Sequence, residues 1–253
     1  MPKLSALLIV FNEARQLPAA IDTVAFADEI IVVDSFSTDG TYQTLQQDSR
    51  VTVVQRAFVN YAEQRNYALT LANNDWVLFV DADERISPIL QAEIVQTINS
   101  EAPKAAYYFY RQCYYFKQKL RFSGLQTDKI YRLFRKSKAA YMAHKIVHET
   151  LEVQGQSGIL NNKLDHYFFD DYNTYKNKMI SYGKLKGQEL FNRGARYSWL
   201  KATLKRWYKF CTHFIIRLGF LDGKKGLVIS KLNALSVKER YKELKRLQSL
   251  APK

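Results

Sequence analysis

Along the first hundred residues, unbroken apolar runs alternate with stretches where apolar side chains return every three or four positions. An unbroken run predicts a strand buried on both faces, and three-to-four spacing predicts a helix with one buried stripe. The pattern predicts strands over Leu4–Phe11, Glu29–Asp34, Val51–Gln55 and Trp76–Val80. Between them it predicts helices over Ala14–Val24, with Leu17, Ala20, Ile21 and Val24 facing inward, over Thr41–Gln47 and over Tyr61–Ala72. Ser87 followed by Pro88 opens a further helix through Ile98, in the order expected of a cap and a first-turn proline. Strands alternating with helices through short connections predict an α/β fold with a parallel, doubly wound sheet.

After Ala105 the pattern changes. Ala106–Phe116 reads as a long aromatic strand, and Lys129–Arg135 alternates apolar with basic residues. Val147–Val153 and Leu164–Phe168 are shorter strand candidates, expected as mixed or antiparallel additions to the same sheet. From Asp170 the chain is expected to be helical and basic. These shifts divide it into a catalytic domain over 1–168, with halves 1–104 and 105–168, and a helical extension over 169–253. The pattern marks no second globular domain.

Charge sharpens this division. Residues 1–100 carry 6 Lys and Arg against 13 Asp and Glu, a net of −7, whereas residues 101–253 carry 32 against 11, a net of +21. An acidic first half suits cation-assisted chemistry, and a basic second half suits an anionic partner. Cys113 and Cys211 have no metal-ligand spacing and are expected to be packing residues in a reducing compartment. The N-terminal apolar run reads as a first strand rather than a signal peptide. Arg217 and Asp222 interrupt the best candidate for a membrane span.

The candidate chemistry gathers where predicted strands end. W-V-L-F-V-D-A-D-E, from Trp76 to Glu84, is an apolar run that stops at two aspartates. In an extended backbone residues i and i+2 point the same way, so Asp81 and Asp83 are expected to aim together while small Ala82 points back. Two carboxylates at the carboxyl end of a strand call for a cation or a hydrogen-bonding ligand, and Mg²⁺ or Mn²⁺ shared with a diphosphate fits. Asn12 and Glu13 follow the first strand and either line the same crevice or cap the next helix. Asp34 ends the second strand, where an Asp can accept from a ribose or a base N–H, while Asp39-Gly40 reads as a turn before the helix at Thr41. Arg65 is either a phosphate or base contact or a solvated helical arginine. The chain has no G-x-G-x-x-G after its first strand, no G-x-x-x-x-G-K-[ST] and no G-x-S-x-G, which argues against dinucleotide, P-loop and hydrolase-elbow sites.

Taken in order, N-E after the first strand, V-V-D-S-x-S-T-D-G-T after the second, and Q-R-N-x-A before F-V-D-A-D-E resemble family 2 glycosyltransferases of the GT-A fold. R-L-F-R from Arg132, V-H-E-T-L from Val147, L-D-H-Y from Leu164 and G-F-L-D-G-K-K-G-L from Gly219 extend this. The longer pattern is similar to the lipopolysaccharide core β-1,4-glucosyltransferase group. The resemblance implies a GT-A-like, mostly parallel twisted sheet flanked by helices, with the basic helices as a C-terminal extension. It implies inverting transfer of a sugar, glucose in that group, from a UDP-sugar to a lipid-linked, phosphorylated core acceptor. Asn12, Glu13, Asp34, Arg65, Asp81, Ala82 and Asp83 would bind the nucleotide-sugar. Asp83 and Asp81, with His166 or His148, would hold a divalent cation, Mg²⁺ or Mn²⁺, and Glu149 would be the general base. The expected place of work is the cytoplasm, peripheral on the inner face of a bacterial cytoplasmic membrane. Another nucleotide-sugar serving a capsule or other glycan precursor is the nearest alternative. A basic nucleic-acid-binding protein is a distant one, since no RNA- or DNA-binding motif accompanies the charge.

Over Trp199–Leu218, the apolar residues Leu200, Leu204, Trp207, Cys211, Phe214 and Leu218 form a stripe, beside a ladder of Lys201, Lys205, Lys209, His213 and Arg217. Either this helix lies on an anionic membrane, or it packs on the catalytic domain with a solvated basic face.

Overall fold

The computed structural model describes residues 2–115, 118–125, 127–142, 150–169 and 172–250. In chain order the first part contains β1 (Leu4–Val10), α1 (Leu17–Val24), β2 (Glu29–Asp34), α2 (Thr41–Gln47), β3 (Val51–Gln55), α3 (Tyr61–Leu71), β4 (Trp76–Phe79), β5 (Glu84–Arg85) and α4 (Pro88–Ile98). There follow β6 (Ala106–Tyr115), β7 (Gln118–Lys119), β8 (Lys129–Arg135), β9 (Ala139–Tyr141), β10 (Leu151–Val153), β11 (Ser157–Ile159) and β12 (Leu164–Phe169). The last helices are α5 (Tyr172–Asn192), α6 (Trp199–Cys211) and α7 (Lys224–Leu250). Two compact units result: Met1–Arg111 with Lys129–His166, and Gln112–Asp128 with Tyr167–Lys253.

The first unit is a mixed α/β structure. Strands β3, β2, β1 and β4 lie side by side in parallel, with Asp34 opposite both Val10 and Gln55. Beyond β4 the pairing turns antiparallel, through β8 to β6, and β5 pairs antiparallel with β12. A helix follows each of β1, β2 and β3 and carries the chain back for the next parallel strand, whereas antiparallel neighbours need no such crossover. Successive strand residues then supply opposite faces. Leu4, Ala6, Leu8 and Val10 face α1, α2 and α4, packing with Leu17, Ile21, Leu45, Leu90 and Ile94. Leu7, Ile31, Val33, Val77 and Phe79 face the other way, toward Ala62 and Ala68 of α3 and toward Ala139, Tyr141 and Leu151 of β9 and β10.

Several expectations need correction. The first helix begins at Leu17 rather than Ala14, because the Glu13 carbonyl accepts from both Gln16 N and Leu17 N and holds the intervening residues in a turn. The fourth strand stops at Phe79, so the two aspartates are not in extended backbone: Glu84 N donates to the Asp81 carbonyl at 2.9 Å and closes a turn. Of the strand expected over Val147–Val153, residues 147–149 lie outside the described part and Leu151–Val153 forms β10. Ser87 caps α4 as expected, its Oγ accepting from Leu90 N.

The second unit has its own apolar interior, which the sequence pattern left unmarked. Tyr115, Leu120, Tyr175, Ile229 and Leu232 form one part, and Val237, Tyr241 and Leu244 form another. Helix α5 comes close to α7 through Gly183 and Gly187, where an added Cβ would fall 2.5 Å from the Ser236 carbonyl oxygen and 2.6 Å from that of Arg240. Among the described residues, no helix is long and apolar enough to cross a membrane.

Candidate active site

The carboxyl ends of β1 and β2 are stitched together by short polar side chains. Asn12, with a left-handed backbone (φ 57°), accepts at Oδ1 from Thr38 N at 2.8 Å, and its own N–H donates to Ser37 Oγ at 2.9 Å. Asp39 accepts from Ala14 N at 3.1 Å and also from Thr41 N and the Thr41 hydroxyl. The capping alternative for Asn12 is therefore overturned: its side chain bridges two loops, and the cap position of α1 is Gln16. Glu13 stands beside it, its N–H donating to Thr41 Oγ1. Asp34 is fully buried and accepts from Ser37 N, the Ser37 hydroxyl and Gln55 Nε2, the last at 3.0 Å. Gln55 can reach it because the two residues pair in register.

The turn after β4 is organised by arginines. Asp81 accepts at Oδ1 from Arg65 Nη2 at 2.8 Å and at Oδ2 from Arg132 Nη2. Arg132 Nη2 also donates to Glu84 Oε1 at 2.8 Å, and Arg111 lies 3.7 Å from the same oxygen. Glu84 turns its other oxygen toward the Asp81 N–H at 3.0 Å. Burial raises the Asp81 carboxyl, but the Arg132 and Arg65 charges overcome it and hold the group far below the ordinary carboxylate range. Arg85 fastens the turn to the start of α1, donating to the carbonyls of Ala82 at 2.7 Å and Gln16 at 2.8 Å. The solvated-helix alternative for Arg65 falls: it is buried, with its guanidinium 5.0 Å from the Phe79 ring centroid. The two aspartates also differ in what compensates them. Guanidinium groups occupy both Asp81 oxygens, while Asp83 Oδ2 stands 3.2 Å from His166 Nε2. The antiparallel pairing of β5 with β12 sets His166 opposite Glu84, next to Asp83.

At 3.2 Å the pair is within hydrogen-bond distance, and the same spacing would also suit a shared cation. Two adjacent ligands of an octahedral ion with bonds of ~2.1 Å stand roughly 3 Å apart. Carboxylate and imidazole are also a workable donor set for a divalent metal, with the remaining positions left to substrate oxygens and water.

Nothing in the sequence pattern assigns Glu84, Arg111 or Arg132 to the site, although Glu84 closes W-V-L-F-V-D-A-D-E and Arg132 opens R-L-F-R. The signal was a lone arginine between apolar residues in I-Y-R-L-F, but strict alternation hides how β8 turns it inward. On β6, Tyr107 and Tyr108 face Leu133 and Tyr131, so Arg132 is the extra residue of a bulge. A second oversight is a row of exposed rings. Phe11, Phe36 and Phe58 follow β1, β2 and β3 in turn, and all are exposed. Gln64 donates to the Oγ of Ser35, the residue before Phe36, at 3.1 Å, while its buried Oε1 has no hydrogen-bond partner among the described residues. Glu149 and His148 lie outside the described residues.

The sequence of residues 5–168 matches the family model Glycosyl transferase family 2. The chain belongs to that family. Among its relatives, this family 2 glycosyltransferase is 28% identical over 259 residues to an uncharacterised glycosyltransferase of Rickettsia felis, covering 98% of this chain and 90% of that one. It is 26% identical over 266 residues to the lipopolysaccharide core biosynthesis glycosyltransferase LpsC of Rhizobium meliloti, covering 95% and 94%. Among solved structures, S. aureus TarS 1–349 in complex with UDP-GlcNAc aligns over 96% of this chain and 83% of that chain, at 18% identity and a TM-score of 0.49.

Proposed function

We propose that the protein transfers a hexose, with inversion, from a UDP-sugar to an acceptor of the lipopolysaccharide core. The Asp83–His166 pair at the carboxyl end of the sheet carries this reading, in a chain whose family moves sugars. The similarity to LpsC along 95% of the chain favours the core acceptor over a capsule precursor. A lipid-linked, phosphorylated acceptor also suits the basic second half.

In this reading each part of the site has one task. The exposed rings of Phe11, Phe36 and Phe58 offer faces for a base, and Gln64 Oε1 offers an acceptor to a base N–H. Asp34 and Asn12, held by Ser37, Thr38 and Gln55, fix the loops that border the ribose. Asp83 and His166 hold the divalent cation, Mg²⁺ or Mn²⁺. When bound, that ion offsets the charge on the departing diphosphate. Asp81 does not ligate it; clamped by Arg65 and Arg132, it sets the turn from which Asp83 projects. Glu149 is assigned as the base that takes the proton of the acceptor hydroxyl.

Calorimetric titration of the full chain with UDP, with and without Mn²⁺, tests the reading, followed by a screen of UDP-sugars for slow hydrolysis. Metal-dependent UDP binding and hydrolysis of one UDP-hexose support it. Binding of oligonucleotides with no affinity for UDP would overturn it in favour of a nucleic-acid protein.

A further inference from the structure

Helix α6 of the second unit presents its apolar side to solvent. Leu200, Leu204 and Trp207 fall within a ~60° arc of the helix, and Ala202 and Lys209 lie roughly opposite. It is this opposite side that packs on α7: Ala202 lies against the Val237, Tyr241 and Leu244 cluster, and Lys209 is partly buried. In the irregular turn that follows, His213 is buried and donates Nδ1–H to the Ser123 carbonyl at 2.8 Å. The outward residues are not merely grazed by solvent. Trp207 is 63% exposed, Leu204 and Leu200 are each 59%, and Trp199 is 70%. Ile216, in the turn after the helix, is 68% exposed. Burying a side chain of this size is worth about 1.5–3 kcal/mol, so a helix settled only for water would turn these residues toward α7. A contiguous exposed apolar surface of this kind marks an interaction site.

The charges around it state what covers it. Helix α6 contains no Asp or Glu, and Lys201, Lys205 and Arg206 are exposed beside the apolar arc. Asp222, in the segment after α6, is occupied by the N–H groups of Arg121 and Phe122 at 2.9 and 3.0 Å. Tryptophans flanked by lysines, on a helix too short to span a bilayer, are the composition of an element lying in a membrane interface. We infer that this face of α6 seats on an anionic lipid bilayer. Trp199, Leu204 and Trp207 enter the boundary of headgroups and acyl chains, and Lys201, Lys205 and Arg206 meet lipid phosphates. The inference rests on the second unit and is independent of the sugar chemistry.

Flotation of the full chain with vesicles tests it, using phosphatidylcholine alone and phosphatidylcholine with a third phosphatidylglycerol, each at low and high salt. Binding to the anionic vesicles should exceed that to the neutral ones by on the order of tenfold to a hundredfold and should fall in high salt. Trp76 is 3% exposed, so quenching of emission by brominated acyl chains reports Trp199 and Trp207. The double variant Leu204→Glu/Trp207→Ser should lose binding, whereas Ile89→Glu, at an exposed apolar site of the first unit, should keep it. Both substitutions lie at solvent-exposed positions, and circular dichroism checks that the helices remain. Equal binding to both vesicle types, absence of quenching, or full binding by the double variant would each overturn the inference. So would sedimentation showing self-association that the double variant abolishes, since the face would then meet a second copy of the chain.

Discussion

Arg132 meets Asp81 because β8 carries one residue more than the strand beside it. The bulge turns a long cation inward, where it bonds both Asp81 and Glu84, which lie 51 and 48 residues before it in the sequence. Removing one member of a buried ionic set leaves the others uncompensated. Arg132→Met should therefore destabilise the first unit by about 3–5 kcal/mol, read by urea unfolding. Because the Asp81 carboxyl is held below its ordinary range, its contribution is present at neutral pH and lost as pH falls through the acid range. A cost below about 1 kcal/mol would show that the clamp is not structural.

Asp83 Oδ2 and His166 Nε2 are 3.2 Å apart. Asp83→Ala should weaken Mn²⁺-dependent UDP binding on the order of a hundredfold. Titration calorimetry with and without the ion measures this, and metal-independent UDP binding by the parent protein would sink the assignment.

The base is tested by a change that keeps shape and removes basicity. Glu149→Gln should lower the transfer rate by ~10²–10⁴ while UDP affinity stays as it was. Near-parental turnover would place the base elsewhere.

His213 gives a pH signature to the second unit. Burial, opposed by the hydrogen bond to Ser123 and aided by Lys209 and Arg217, pushes its pKa down to about 4. Since the unfolded group titrates near 6.5, the unfolded chain binds more protons between these values. Stability is then complete above about 6.5 and is lost as pH falls toward about 4, by on the order of 3 kcal/mol. His213→Asn keeps a donor for Ser123 and should flatten that slope in denaturation series at stepped pH.

Gly187 lies within α5, where alanine is the better helix former by about 1 kcal/mol. Yet Gly187→Ala should destabilise, since the new methyl would meet the Arg240 carbonyl at 2.6 Å and Glu243 Cβ at 2.7 Å. A raised thermal midpoint for that variant would show that the α5–α7 contact yields easily.

Much of the first unit could be read from the sequence because burial periodicity is a local property. Thr41–Gln47, Val51–Gln55 and Lys129–Arg135 end where the apolar pattern ends. The start of α1 at Leu17 is not legible in that pattern, since apolar spacing does not register a turn held by the Glu13 carbonyl. Asp81 and Asp83 stand out in the sequence because they follow a buried run, but the run shows neither the turn closed by Glu84 N nor the guanidinium groups that compensate Asp81.

By itself, then, the sequence determined the order of the longer strands and helices over residues 4–98, the end of the sheet where polar groups gather, and the division of charge between the two halves. Tertiary structure decided which charges meet. Arg65, Asp81, Glu84 and Arg132 become one network only when α3, the turn after β4 and β8 are brought together, and a single bulge aims the last of them. It also decided which side of α6 faces water. An amphipathic stripe states that one face differs from the other, while the neighbour against which the helix packs settles which face is covered.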